Sequence, residues 1–474
     1  IFKMVFSNGD VPDDFGVSGI SCYFPATYVR QSELEKAQGI AKGKYTIGLG
    51  QTEMAFCSDK EDSVSLALTV TRMLLDEYEI DPSSVGYLAV ASETLIDKSK
   101  SIKSALMQLF DGNTDISGVD VKHACFGGTQ ALFDALGYLY RTYSKQHRLA
   151  IVVCTDIAVY ADGPARCTGG AGAVALLLSP SAPLVFDNCL ESVDGHHGYD
   201  FFKPVGAHNC EFPIVAGKES IAAYLGSLAA CYKLYKKKSK EIEGRDTVSL
   251  SDFDAACFHS PFTKLVRKAV AVMVAEDARN GDQVRGSAGM EELVEALRHE
   301  GAPSDFSQIS NEAMKASEQT WMEMTSPNLE MNRRLGNMYT PSLYVQLVGY
   351  LSRMEPGKAD KTDKKRDGEE RRILMYSYGS GSMGAVFSFT LKGRSTERLL
   401  RMIEVSRSII DRLDSRQERT PDEYTETMAQ RERLYTSNVP VTPASLASAS
   451  LYPVFPETFY LEFIDEKFRR QYTT

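Results

Sequence analysis

The run Ala173-Val174-Ala175-Leu176-Leu177-Leu178 contains no polar side chain, and a strand that is apolar on both faces needs a sheet covered on both sides. It lies within the segment Ala171 to Leu178, and other short apolar or β-branched runs span Val85 to Ala91, Leu149 to Cys154, Ala255 to Phe258 and Ile373 to Tyr378. Each ends in a polar or glycine-rich segment. Apolar residues at helical spacing lie between some of them, from Asp62 to Tyr78 and from Gly128 to Tyr140. Strands alternating with helices predict an α/β fold with sheets buried between helical layers.

The chain of 474 residues is 43 % hydrophobic, enough for a large core. Its 53 basic and 63 acidic residues give a net charge of -10, which argues against general binding to nucleic acid or anionic membrane. An anionic ligand must then meet a local basic cluster. The nine cysteines are scattered and include no CxxC pair or Cys/His cluster at metal-ligand spacing, so they read as reduced thiols of an intracellular protein. No stretch approaches the roughly 18 to 20 apolar residues that cross a bilayer. The first residues carry no signal-peptide pattern, and the expected compartment is the cytoplasm, with a mitochondrial form left open by a chain that starts at Ile1. Tyr232 to Asp246, rich in lysine and glutamate, is expected as a solvated helix and loop. Pro356 to Arg372 lacks hydrophobic periodicity and is expected as a mobile surface loop. Towards the C-terminus a charged helical section precedes an aromatic segment, Tyr452 to Phe463, expected to pack back on the body.

Three residues stand where chemistry is possible. Cys125, in His123-Ala124-Cys125-Phe126-Gly127-Gly128-Thr129, precedes a helix whose buried face would carry Leu132, Phe133, Leu136 and Leu139. A helix N-terminus favours a thiolate, and Gly127 and Gly128 could free amides for an oxyanion. Glu93 follows the strand that ends at Ala91, where a buried carboxylate can move a proton at carbon. His259 ends the strand Ala255 to Phe258 and can hydrogen-bond a carbonyl or transfer a proton. Taken singly, each has an ordinary reading: an inert buried thiol, a solvated carboxylate, a structural histidine. Pro261 is placed to open the next helix, on which Lys264 and Lys268 share one face, a clamp for the phosphates of a nucleotide-like ligand. The glycine-rich stretches at 165–172, 335–342 and 377–382 match neither a Walker A loop nor the dinucleotide spacing, and are expected to be turns lining a pocket.

Taken in order, the segments GKYTIGLGQ (43–51), SETLIDKSKS (92–101), GNTDI (112–116), ACFGGT (124–129), DIAVYA (156–161), YDFFKP (199–204), FHSPF (258–262) and SYGSGS (377–382) resemble the eukaryotic 3-hydroxy-3-methylglutaryl-CoA synthase family over nearly the whole chain. The resemblance implies a thiolase-like layered α/β/α/β/α fold of two similar halves, residues 1–187 with Glu93 and Cys125 and residues 188–474 with His259, usually as a homodimer. It implies condensation of acetyl-CoA with acetoacetyl-CoA in the mevalonate and isoprenoid pathway, with CoA thioesters as substrates and no metal or redox cofactor. Cys125 would be the nucleophile, Glu93 the general acid/base and His259 the group that orients acetoacetyl-CoA. Asp156, Tyr160, Thr168, Asp200, Pro204, Asn337, Tyr339 and Ser342 would serve the substrate pocket, and Lys264 and Lys268 the CoA. The chain departs from the family pattern at Phe126, usually tyrosine, and at Cys167, usually proline. A ketoacyl synthase of the same fold would bring a Cys-His-His or Cys-His-Asn set instead, and the Glu93 segment speaks against it. A catalytically silent scaffold would not need every one of these groups.

Overall fold

The computed structural model describes Pro12 and residues 14–204, 211–286, 289–299, 309–355, 370–392, 396–437, 439–449 and 451–474. Ten strands form one sheet: β1 (Gly16–Tyr23), β2 (Val85–Ala91), β3 (Asp120–Val121), β4 (Leu149–Ala158), β5 (Gly170–Ser179), β6 (Leu184–Phe186), β7 (Ser192–Gly195), β8 (Ala255–Phe258), β9 (Arg371–Gly379) and β10 (Met383–Leu391). The helices that bear on the site are α1 (Ser63–Glu77), α2 (Gly127–Gln146), α3 (Gly217–Glu243), α4 (Thr263–Asn280) and α5 (Val345–Ser352).

The sheet contains the same arrangement twice. In the first half the order is β3-β2-β4-β5-β1, parallel as far as β4 and antiparallel beyond it. The second half runs β8-β9-β10-β7, with a parallel pair followed by two antiparallel pairs, as in β2-β4-β5-β1. Strand β6 pairs with both β1 and β10 and joins the halves. Almost every residue of β5 and β9 is buried, as runs apolar on both faces require. Helix α1 begins where a capping box forms: the Asp62 carboxylate accepts from the Val64 and Ser65 amides, and Ser65 Oγ accepts from the Asp62 amide. Caps of this kind contribute about 1 kcal/mol.

Helices α2 and α5 precede the equivalent strands β4 and β9, and their starts meet between the halves. Thr129 Oγ1 lies 2.8 Å from Tyr344 Oη. A Cβ on Gly128 would stand 2.6 Å from Cys154 Sγ and 3.1 Å from the Tyr344 ring, so only glycine lets α2 approach this closely.

Three sequence expectations change. The lysine-rich stretch Tyr232 to Asp246 is not solvated on all sides: α3 buries Tyr232, Tyr235 and Ser239, and Lys236 pairs with Asp277 and Asp282. Of the charged stretch Pro356 to Arg372, residues 356–369 lie outside the described residues, while Arg371 and Arg372 open β9. Pairing of β9 with β10 turns Arg372 inward, 7 % exposed, and its charge is met by Asp187 (3.0 Å), Glu243 (3.3 Å) and the Tyr235 hydroxyl (3.0 Å). Pro261 stands outside α4, which starts at Thr263 with Phe262 as its N-cap. The aromatic segment near the C-terminus does return to the body: Phe455 meets Tyr23 and Phe24 edge-on, and Arg470 and Tyr472 each reach Asp62 at 2.9 Å. No helix among the described residues is long and apolar enough to cross a membrane.

Candidate active site

Strand β2 ends at Ala91, and the chain turns through Ser92, Glu93 and Thr94 directly over the buried carboxylate of Asp156 in β4. Asp156 Oδ1 accepts from Ser92 Oγ (3.0 Å), the Glu93 amide (2.9 Å), the Thr94 amide (3.0 Å) and Thr94 Oγ1 (2.8 Å). Its Oδ2 accepts from the amide (3.1 Å) and hydroxyl of Thr340, in the turn before α5. Burial raises this carboxyl, and the hydrogen bonds from Thr340 and Thr94 work against the rise. Both oxygens are thus occupied by protein groups. Asp156 fixes the backbone that presents Glu93 and ties it to the second half.

Cys125 comes from the other side, one residue before the N-cap of α2. Ala124 before it has φ 43°, a left-handed conformation that costs a non-glycine residue about 1 kcal/mol or more. The turn is held by Gly379: a Cβ there would stand 2.5 Å from the His123 carbonyl oxygen and 2.6 Å from the Phe126 amide. Phe126 itself is buried, its ring edge-on to His123 at 6.0 Å. The resulting contact is the centre of the site: Cys125 Sγ donates to Glu93 Oε1 across 3.4 Å. The other oxygen, Oε2, lies 3.4 Å from Lys203 Nζ.

The electrostatics revise the expected thiolate. Burial pushes the Cys125 thiol well up, and the carboxylates of Glu93 and Asp156 push it further, outweighing Lys203. The resting group is a thiol. Glu93 is likewise raised, first by burial and then by Asp156, with Lys203 and the Cys125 hydrogen bond opposing. Of the two glycines, the Gly127 amide is not free, donating to the Ala124 carbonyl (3.3 Å), while Gly128 gives the close backbone approach that packs α2.

His259 follows β8, the second-half counterpart of β2. Its amide donates to the Tyr376 carbonyl (2.8 Å), and its carbonyl accepts from Tyr224 Oη (2.7 Å). Burial pushes its imidazole down to about 3, so the ring is neutral. Gln346 Oε1 accepts from the Phe258 amide (3.0 Å), and its Nε2 donates to the Ser342 carbonyl (3.1 Å), which ties this strand end to the turn before α5. In that turn Asn337 Oδ1 accepts from the Tyr339 amide (2.9 Å) and from Ser342 Oγ (3.2 Å). Tyr339, with φ 51°, is thereby held in a conformation rare for a side chain of its size.

Tyr339 is fully buried beside Tyr160, Cys125 and Phe201. Burial raises Tyr160 to about 12, against the hydroxyls of Tyr339 and Thr168 that neighbour it. Asp200 accepts from Tyr378 Oη (3.0 Å) and the Gly381 amide (2.9 Å), fastening the segment that carries Lys203. Pro204 follows Lys203 and borders the undescribed residues 205–210. Lys264 and Lys268 stand apart on α4, half-buried and without an ion pair among the described residues, whereas Arg267 between them pairs with Glu318. Segment 43–51 docks at the start of that helix, where the Lys264 amide donates to the Leu49 carbonyl (3.0 Å). A cavity of about 580 Å³ opens between residues 194–200 and α3, but Glu93, Cys125 and His259 do not line it. The candidate site is therefore built around the thiol–carboxylate contact and not around this cavity. Sequence reasoning gave no role to Thr94, Thr340 or Lys203, although each lies inside a stretch it singled out: 92–101, 335–342 and 199–204.

Residues 11–183 match the family described as hydroxymethylglutaryl-coenzyme A synthase N terminal, and residues 184–474 the corresponding C terminal family. The hydroxymethylglutaryl-CoA synthase of Caenorhabditis elegans is 41 % identical over 462 residues, covering 97 % of this chain and 94 % of that protein. The Mus musculus cytoplasmic form is 40 % identical (97 % and 87 % covered), and the mitochondrial form is also 40 % identical (97 % and 89 %). Among solved structures, MvaS in complex with 3-hydroxy-3-methylglutaryl coenzyme A superposes with a TM-score of 0.78 at 29 % identity, over 97 % of this chain and 99 % of the other.

Proposed function

The chain belongs to the hydroxymethylglutaryl-CoA synthase family, and from that premise we propose which of its residues perform the acyl transfer. The reaction condenses acetyl-CoA with acetoacetyl-CoA and water to give 3-hydroxy-3-methylglutaryl-CoA and CoA. The contact of Cys125 Sγ with Glu93 Oε1 at 3.4 Å carries the assignment. As the sulfur attacks the acetyl carbonyl, Glu93 takes the thiol proton and hands it to the departing CoA thiolate, leaving acetyl-Cys125. Glu93, again a carboxylate, removes a proton from the acetyl methyl group. The enolate attacks the ketone carbon of acetoacetyl-CoA, whose oxygen accepts a hydrogen bond from the neutral His259 imidazole. Glu93 returns its proton to the new alkoxide, and water cleaves the thioester at Cys125. Asp156, Asn337 and Ser342 support the turns around this centre, while Tyr160, Thr168, Tyr339, Asp200 and Pro204 shape its wall. Incubation with labelled acetyl-CoA should leave a thioester on the peptide that contains Cys125; label on any other residue would overturn the assignment.

Lys264 and Lys268 are assigned to the CoA phosphates, being on one face of α4 with no competing carboxylate among the described residues. Replacing both with alanine should raise KM for acetyl-CoA roughly 10-fold at low salt, with the difference shrinking as ionic strength rises. An unchanged KM at low salt would remove them from the site.

We also assign the outer edge of β3 to a second copy of the chain. Among the described residues β3 pairs only with β2, and the adjoining Val119 is 65 % exposed on an unprotected sheet edge. Sedimentation should show a dimer that Val119→Lys weakens; a monomeric parent protein would refute this. The cytoplasm is our reading of the compartment, supported by the free thiols of all eight described cysteines.

A further inference from the structure

We propose that Lys203 is the positioning residue that turns Glu93 into a working base, holding the carboxylate ionised with one oxygen on the ammonium and the other on the Cys125 sulfur. This rests on Glu93 being the acid/base of the condensation. The two side chains are nearly enclosed, 13 % and 7 % exposed, and Nζ stands 3.4 Å from Oε2. Among the described residues the ammonium also lies over aromatic faces, Tyr339 at 4.4 Å and Phe201 at 5.8 Å, which favour a cation there, and its charge reaches the buried Asp156 behind Glu93 as well. The position is built. Asp200 clamps the chain to Tyr378 and Gly381, and Phe201 and Phe202 pair with Val215 and Ile214.

Among the described residues, the titratable neighbours that face Glu93 are Lys203, Asp156 from β4, Cys125 from the turn before α2, Tyr160 after β4 and Tyr339 before α5. Lys203 alone is positive. Burial and Asp156 favour the protonated acid, and an acid cannot take a proton from a methyl group. The cation opposes both while drawing Oε2 away from the sulfur, so that Oε1 is left to face the reacting atoms.

The experiment is the pH profile of condensation kcat for the parent enzyme and for Lys203→Met, Lys203→Arg and Glu93→Gln. An opposite charge at this distance typically lowers a carboxyl by about 1–3 units. Losing it should therefore move the acidic limb of Lys203→Met to higher pH by that amount, with kcat recovering toward parent values in alkali and KM for acetyl-CoA changed little. Lys203→Arg should keep the limb in place, which a purely steric role would not produce. In a Glu93→Gln background, Lys203→Met should add less than twofold. A Lys203→Met enzyme whose kcat falls equally at every pH, or whose limb does not move, overturns the proposal. If that result accompanies an inactive Glu93→Gln, only the role of Lys203 falls. If Glu93→Gln itself condenses at the parent rate, the acid/base reading falls with it. Should Lys203→Met not fold, a shifted limb in Lys203→Gln supports the proposal and an unshifted one overturns it.

Discussion

Cys125→Ser should form no acetyl-enzyme, and its condensation rate should drop by at least about 10³-fold. The hydroxyl is a far weaker nucleophile near neutral pH, and loss of a covalent nucleophile typically removes most of the catalysis that depends on it. The resting thiol makes the comparison a fair one: sulfur and oxygen would both begin protonated and hydrogen-bonded to Glu93 Oε1, and only their ability to attack differs. The fold should persist. Serine is slightly smaller, still donates to the carboxylate, and a change of this size usually costs on the order of 1 kcal/mol. Thermal melting checks the second expectation and stoichiometric labelling with acetyl-CoA the first. A serine variant that still carries one label per chain would mean that the acyl group rests elsewhere.

What the sequence made legible follows from what is local. Val85 to Ala91 and Ala255 to Phe258 become strands with those same bounds because their burial on both faces is written in the side chains themselves. The start of α1 is equally local, an Asp62 cap with Ser65 three residues on. The thiolate expected at Cys125 failed because a helix dipole is a feature of one segment. The burial and the two carboxylates that oppose it arrive from Glu93 and Asp156, distant in sequence and brought together by the parallel pairing of β2 and β4. Tyr232 to Asp246 was hidden by composition: lysines and glutamates on the outer face mask the buried Tyr232, Tyr235 and Ser239. Lys203 had no signal of its own, since a lysine becomes a buried partner only when a tertiary carboxylate stands beside it. Asp156, expected in the substrate pocket, has partners that only the fold brings to it: Ser92, Glu93, Thr94 and Thr340.

Glu93→Gln should separate the two halves of the reaction. Glutamine keeps the volume and a hydrogen bond toward sulfur, but it cannot accept a proton at working pH. Acetylation should survive in weakened form, because two effects of the change oppose one another there: the base that takes the thiol proton is gone, yet so is a negative charge that was raising the thiol. No such compensation exists at the methyl group. Removing a carbon-bound proton needs the carboxylate itself, and general base catalysis typically supplies about 10²–10⁴-fold, so carbon–carbon bond formation should fall by at least that order. Acetyl-Cys125 should then accumulate in the presence of both substrates. Measuring labelled enzyme and condensation product in the same quenched sample decides the matter. Near-normal product formation would place the proton transfer on another group. A variant that is neither acetylated nor active, yet melts like the parent, would show that the first step itself requires Glu93, whose contact with Cys125 places it there.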